Sequence, residues 1–414
     1  MNEGSPNPWQ VAAQQIDARI KELQPEADRH VVGQHVISRV LLKRFAIPFG
    51  SQGLKLVPFN LDHPDGLHKA ASPRACGKVP YFARFASASL EQVWGKLETR
   101  IPDAARAVDR GDVFHNEQHV QTLKDLVALH LVRSLNYRNI HERIFTKVYT
   151  EHRTALLTER SDLLRRAVLQ RSGLHLSGPQ GLATAATAAD EILSPHMANF
   201  ENGADFRARI EITFAKAKEM ISDAGLEILV PAAGEFLLGD TPALAIQQSG
   251  TRIAFNVAIG DSTAIVLPFG PRHLLVGRTP RNGLSTVSEE TVDLLNRLQI
   301  EAAQQRVYFR PRSGQDAIVR RYLKQGGRAR KEKLQAASSP DGRASKVSGL
   351  TRQSPHPLKQ ARRTVPRSAN RQPRSGPAGA RRCAEAFVGR LLPSPSAGES
   401  PAVPCRRRVR LRPR

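Results

Sequence analysis

The sequence predicts an α+β protein: a helical N-terminal and middle region packed on a mainly antiparallel sheet, followed by a disordered basic tail. Three observations carry this. Apolar residues recur at helical spacing through most of residues 89–218. From Glu235 to Arg278 short apolar runs alternate with turn-forming clusters, the pattern of a sheet. Beyond Lys333 large apolar side chains almost vanish and Arg, Pro, Ser, Ala and Gly dominate, a composition that cannot offset the entropy of ordering the chain. The expected organisation is an N-terminal helix within residues 1–29, one α+β domain over 30–320 (helical over 85–220, strand-rich over 226–310) and an Arg/Pro-rich tail over 334–414.

Taken in order, residues 8–23 carry Val11, Ile16, Ile20 and Leu23 on one side, an amphipathic helix entered through Asn7-Pro8 and ended at Pro25. Residues 35–45, with Val36, Val40, Leu41 and Leu42, read as a second helix. Residues 54–57 and 79–82 read as short edge strands, because Pro58, Pro64, Pro73 and Pro80 prevent one long regular element. Ser89 followed by Gln92 resembles a capping box, opening a helix through Val93, Leu97 and Ile101 in which Pro102 marks a kink or break. Val120, Leu123, Val127, Leu131 and Leu135 define the next helix, and others run over 140–169, 182–193 and 205–220, with a break expected at residues 136–139. Residues 236–238 form a buried strand that stops at Gly239-Asp240-Thr241-Pro242, where Gly permits unusual φ and Pro cannot extend a central ladder. Strands over 253–259, 264–267 and 273–276 follow. Thr286 with Glu289 makes a second capping box, opening a helix through Val292, Leu295 and Leu298, and residues 307–309 read as a last strand.

With 414 residues, 40% of them hydrophobic, the chain is long enough to bury a sizeable core and to be an enzyme. Its net charge of +24 is unevenly spread. Residues 321–414 hold 24 Lys and Arg against 4 Asp and Glu, which leaves 38 basic and 34 acidic side chains in the first 320. The folded part is therefore nearly neutral. Cys76, Cys383 and Cys405 show no C-x-x-C pairing, so neither a disulfide framework nor a structural zinc site is indicated. The N-terminus lacks the basic and apolar regions of a secretory signal, and no apolar run approaches a membrane span. A cytoplasmic protein is expected.

Several polar constellations are candidates for chemistry. His119, His130, His141 and His152 recur every eleven residues, but eleven residues rise about 16 Å along a helix, too far for a shared metal. His115 and His119 have ligand spacing, yet Glu117 stands in the wrong place for the H-E-x-x-H arrangement, and no metal is assigned. Arg110 and His115 match a loose R-x4-H spacing that arises easily by chance. Two readings stay open at Asp240: a functional carboxylate at the end of a buried strand, or a turn former. His35 is either a general base or a satisfied core histidine. No P-loop, dinucleotide fingerprint, nucleophile elbow or kinase set is present, and no cofactor is implied. The tail, with Arg362, Arg363, Arg381, Arg382, Arg406, Arg407 and Arg408, would attract polyanions nonspecifically through counterion release. It has no interleaved aromatics to stack bases, only Phe387 after Tyr322, and the alternative is an extension of low constraint generated by base composition, since Arg, Pro, Ala, Gly and Ser dominate it.

In their order, a set of short motifs resembles a bacterial family known as domain of unknown function 4238. Its N-terminal pattern of His, Pro-Gln, Leu and Phe is similar to His35 followed by Ser38-Arg39, Leu42 and Phe45, with Ser38 and Arg39 in place of Pro and Gln. Its helical Glu resembles Glu98, its helix ending in Arg resembles residues 126–133 with Arg133, and its Ser-Asp-Asn-Pro turn resembles Gly239-Asp240-Thr241-Pro242. A later Pro-Leu segment resembles Leu267-Pro268, and a helix beginning with Asn resembles that at Asn296 leading to Tyr308. The resemblance spans about residues 30 to 310 and implies one fold without a reaction. It directs attention to His35, Glu98, Arg133 and Asp240 as base, acid or anion anchor of one cleft, in a hydrolase or nuclease. The alternative is a non-enzymatic nucleic-acid or partner-binding protein, and in a third reading the residues are purely structural, His35 and Asn296 satisfying buried backbone groups and Asp240 holding its turn.

Overall fold

The computed structural model describes residues 8–173, 175, 178–249 and 252–338. The first elements are α1 (Pro8–Leu23), β1 (Gly33–His35), α2 (Arg39–Arg44), β2 (Ile47–Pro48), β3 (Leu54–Lys55), β4 (Val57–Asn60) and β5 (Lys78–Pro80). Helices then dominate: α3 (Ser87–Glu98), α4 (Ile101–Arg110), α5 (Glu117–Val132), α6 (Leu135–Leu157), α7 (Ser161–Ser172), α8 (Gly178–Glu201) and α9 (Ala204–Ser222). The strand region holds β6 (Gly225–Pro231), β7 (Leu238–Gly239), β8 (Leu244–Ser249), β9 (Arg252–Phe255), β10 (Ala264–Gly270), β11 (His273–Thr279) and β12 (Gly283–Val287). After it come α10 (Glu289–Ala302), β13 (Arg306–Phe309) and α11 (Gln315–Ser338).

A six-stranded sheet in the order β12-β6-β11-β10-β8-β9 organises the domain. Its ladders are antiparallel except for the parallel pairing of β12 with β6. Strand alternation sends Leu226, Ile228, Ile265, Leu267 and Leu275 to one face, where Leu123 and Val127 of α5 and Phe214 and Ile221 of α9 share their core. Leu229, Val266, Leu274 and Val276 go to the other face and pack with Val292, Leu295 and Leu298 of α10. Both faces are covered, so β10 is buried along its whole length. Pro268 fits inside this central strand because the ladder to β11 is irregular between Pro268 and Gly270. A smaller sheet, β4-β13-β7, lies beside it, and β1 pairs with β5.

The α+β class is as expected, as are the bounds of α1. Several elements differ. His35 lies on β1, opposite Lys78, and the helix begins only at Arg39 after Ser38, because residues 33–35 exchange backbone hydrogen bonds with residues 78–80. The break expected at residues 136–139 falls at Arg133-Ser134 instead, where the Ser134 hydroxyl accepts from the Tyr137 amide and starts α6. The long helix expected over 140–169 divides into α6 and α7. Pro102 opens α4 in its first turn. The cap of α10 is Ser288, accepting from the Thr291 amide, while Thr286 belongs to β12. The strand foreseen at residues 236–238 shortens to β7, and that at 253–259 to β9.

Helix α11 is absent from the sequence reading and occupies residues 334–338, the expected beginning of the tail. Val319, Tyr322 and Leu323 pack it on a core with Phe59 and Val307. The rest of the tail, including Arg362, Arg363, Arg381, Arg382, Arg406, Arg407 and Arg408, lies outside the described residues. Among the described residues no helix is long and apolar enough to cross a membrane.

Candidate functional site

Helix α3 presents Glu91, Trp94 and Glu98 at intervals of three and four residues, which places them on one side of the helix over two turns. Helix α5 delivers Arg133 at its C-terminal cap, where the chain turns out of helical geometry (φ −90°, ψ 60°). The Arg133 side chain is only 2% exposed. Its Nη1 donates to Glu98 Oε1 at 2.7 Å, its Nη2 to Glu91 Oε2 at 3.4 Å, and its guanidinium carbon lies 4.3 Å from the Trp94 ring centre. Ser38, from the cap of α2, donates to the same Glu98 oxygen at 2.7 Å. A buried guanidinium is tolerated here because two carboxylates and an aromatic face replace its water. The carboxylates remain about a quarter exposed, at 28% for Glu91 and 26% for Glu98, so the cluster reaches the surface.

His35 lies half-buried within electrostatic range of Arg133. Burial holds its pKa below the ordinary histidine value; the charges of Arg133, Lys78 and Arg39 add to this, and a hydrogen bond to the Arg74 carbonyl opposes it. Nε2 has no partner within the protein, and in the neutral ring with its proton on Nδ1 it is a free acceptor. Glu91 shows the complementary perturbation: burial raises its pKa, Arg133 works against the shift and Glu98 adds to it. His130, one turn before Arg133, is completely buried, and burial followed by the Arg133 charge takes its pKa down to about 3. Neither of its ring nitrogens meets a partner at good geometry, the Val36 backbone giving only a weak contact.

Five buried atoms around one guanidinium thus lack hydrogen bonds: His35 Nε2, Glu91 Oε1, Arg133 Nε and both His130 nitrogens. Buried polar atoms ordinarily find partners, so this concentration marks the region as a candidate site rather than as an ordinary core.

Asp240 belongs to a different set of bonds. Its carboxylate accepts from the backbone amides of Gln304 and Gln305 at 2.7 Å each and of Arg306 at 2.9 Å, while its own amide donates to the Arg306 carbonyl. It ties the end of β7 to the turn between α10 and β13. Gly239 is required beside it: its amide donates to Gln299 Oε1, and a Cβ there would lie 2.9 Å from that oxygen. Asn296 does similar work, accepting from the Leu237 amide at 2.9 Å and donating to the Glu235 carbonyl at 2.8 Å. Of the four residues singled out from sequence, then, Glu98 and Arg133 are in direct contact, His35 is within electrostatic range of Arg133, and Asp240 is engaged with the α10–β13 turn.

Residues 33–313 match the family described as "Protein of unknown function (DUF4238)". The chain belongs to this family. The DUF4238 region begins at Gly33, the first residue of β1, and ends just before α11, so α1, α11 and the tail lie outside it. No curated protein and no solved structure matches the chain. Within the DUF4238 region, sequence reasoning missed Glu91, Trp94 and Ser38. Glu91 stands seven residues before Glu98, a spacing that keeps both on one side of a helix and was available as a signal. The histidine series disperses: His130 is in the α5 core, and His141 on α6 bonds Asp205 on α9 at 2.6 Å. Among the described residues no group of three or more His, Cys, Asp and Glu is arranged to hold a metal ion.

Proposed function

We propose that the DUF4238 domain is a hydrolase whose acid–base chemistry is carried by His35 and Glu91, with Glu98 and Arg133 holding the site in place. What supports the reading is the pair of unpartnered atoms, His35 Nε2 and Glu91 Oε1, on groups whose pKa values are displaced toward a neutral base and a protonated acid. His35 takes a proton from water, and the resulting hydroxide adds to the electrophilic centre of the substrate. Glu91 gives its proton to the leaving atom, so water is divided between the two products. Exchange with solvent then returns His35 to its neutral form and Glu91 to its acid form. Asp240 has a positioning role: it holds β13, whose Tyr308 reaches the Gly77 backbone, and the Gly77 carbonyl accepts from the Val36 amide next to His35.

The test is a panel of carboxylic esters, amides, glycosides, phosphoesters, DNA and RNA, assayed with and without divalent metal. At least one class is expected to be cleaved, with His35→Ala and Glu91→Gln each losing on the order of 10²-fold or more in kcat/KM. Cleavage that survives both substitutions, or a chain that cleaves none of the panel, ends the reading. We also propose a cytoplasmic location, because Cys76 is buried and unpaired with its thiol pKa pushed up to about 11 by burial, which suits a reducing compartment.

A second reading is nonspecific attachment to nucleic acid through the tail. It is favoured by the concentration of 24 basic against 4 acidic residues over 321–414. Binding to generic DNA and RNA is expected to fall steeply with salt and to vanish in a chain ending at Ser338. Unchanged binding by that shorter chain would discard it.

A further inference from the structure

We propose that the His35 site recognises a doubly charged oxyanion, a phosphate group on the substrate, between Arg39, Lys78 and Arg133; this rests on the hydrolytic reading of the same site. The first observation is local charge. Three cations act on the His35 ring: Arg133 from the end of α5, Lys78 directly across the β1–β5 ladder, and Arg39 at the start of α2. Arg39 and Lys78 are exposed, and no carboxylate among the described residues engages either of them. Against three positive charges the cluster sets Glu98 and Glu91. One positive charge is left over when Glu91 is ionised and two when it carries its proton, the form the hydrolytic step requires.

The second observation is the free donor. Arg133 has spent Nη1 on Glu98 and Nη2 on Glu91, while its Nε, buried like the rest of the side chain, has no acceptor. A planar carboxylate is held best by two parallel N–H groups of a guanidinium fork, and that fork is already occupied. A tetrahedral anion needs only one donor there, because its remaining oxygens point to other sides, toward Lys78 and Arg39. Phosphate therefore fits the single free donor in shape and, with Glu91 in its acid form, the two surplus positive charges, whereas a carboxylate finds its preferred fork occupied.

The experiment is a calorimetric titration of the full chain with inorganic phosphate at constant ionic strength, with acetate as the comparison anion. The Arg39→Gln/Lys78→Gln double variant is titrated alongside, both substitutions being on exposed side chains and far-ultraviolet circular dichroism confirming the fold. Background binding by the tail is common to both proteins, so their difference reports the site. Losing two cation contacts is expected to weaken phosphate binding about tenfold or more, with acetate binding at least about tenfold weaker than phosphate in the unaltered chain. Equal phosphate affinity in the two proteins, or acetate binding as well as phosphate, overturns the proposal. If phosphate binds as expected while nothing in the substrate panel is cleaved, the hydrolytic reading falls and the anion site stands. If a neutral ester is cleaved and phosphate neither binds above background nor inhibits, the anion site falls and the hydrolytic reading stands.

Discussion

Asp240→Asn separates a carboxylate that holds a turn from one that does chemistry. In the folded chain Asp240 is 4% exposed and its two oxygens accept three backbone amides, Gln304 on Oδ1 and Gln305 and Arg306 on Oδ2. Asparagine offers one carbonyl oxygen. Turned toward Gln305 and Arg306 it keeps two bonds at neutral strength, and its NH2 then faces the part-buried Gln304 N–H, which loses this acceptor. Hydrogen bonds to an ionised group are worth about 1.5–3 kcal/mol against about 1 for neutral ones, and a stranded buried donor costs about 1–3 more. These terms are not additive, and a net loss of about 3 kcal/mol follows, or roughly 5–10 °C in Tm for a domain of this size. Urea denaturation followed by circular dichroism measures it. A variant within about 0.5 kcal/mol of the unaltered chain would refute the argument that these three amides depend on the charge. The same variant, assayed below its melting temperature on a cleaved substrate, is expected to keep activity within a few-fold. A loss of on the order of a hundredfold with the fold intact would instead make Asp240 a catalytic residue.

Other substitutions probe the site and its supports. Arg133→Met leaves Glu91 and Glu98 facing a buried apolar side chain and is expected to cost about 3 kcal/mol or more in urea denaturation; a neutral outcome would mean the cluster is solvated enough to dispense with its cation. Asn296→Ala strands the Leu237 amide, while the Glu235 carbonyl keeps the bond from Gln315 Nε2, and is expected to cost about 1–3 kcal/mol, with an effect under about 0.5 arguing that water replaces the lost bond. His130 has a folded pKa of about 3 against an ordinary value of 6.5, so the unfolded chain takes up a proton that the folded chain refuses. Stability contributed by its neutral form is therefore lost as pH falls from about 6.5 toward 3, at up to about 1.4 kcal/mol per unit. His130→Leu is expected to remove that part of the slope, and equal slopes between pH 6 and 4 would show that His130 is not buried neutral.

Helix α1 is legible from sequence because its evidence is local: one apolar stripe and prolines at both ends decide it without reference to distant residues. The strands are legible as a group but not in their lengths. Residues 264–267 grow into the seven-residue β10 because the ladder to β11 continues past Pro268, and pairing with a remote segment decides where a strand stops. The helical expectation for His35 fails for the same reason. Its neighbours are apolar in a way that suits either a helix or a strand, and the backbone partner that settles the matter is Lys78, forty-three residues further on. Helix α11 escapes a sequence reading because the apolar residues that pack it, Val319, Tyr322 and Leu323, lie in its first half and are followed by a highly charged run.

The candidate site divides along the same line. Glu98, Arg133, His35 and Asp240 were named from short motifs, and the residue types alone allow each to be an acid, a base or an anchor. Which of them act together depends on contacts that span 35 residues from Glu98 to Arg133, 42 from Glu91 to Arg133 and 60 from Ser38 to Glu98. By itself the sequence determined the fold class, the helical character of most of residues 89–218 and the separation of a near-neutral folded region from a strongly basic tail, since these follow from local periodicity and composition. Tertiary structure alone decided that Arg133 is shared between two carboxylates of one helix, that His35 keeps a free nitrogen, and that Asp240 serves the backbone. Burial and hydrogen-bond partnership arise between segments remote in the chain, and no local pattern encodes them.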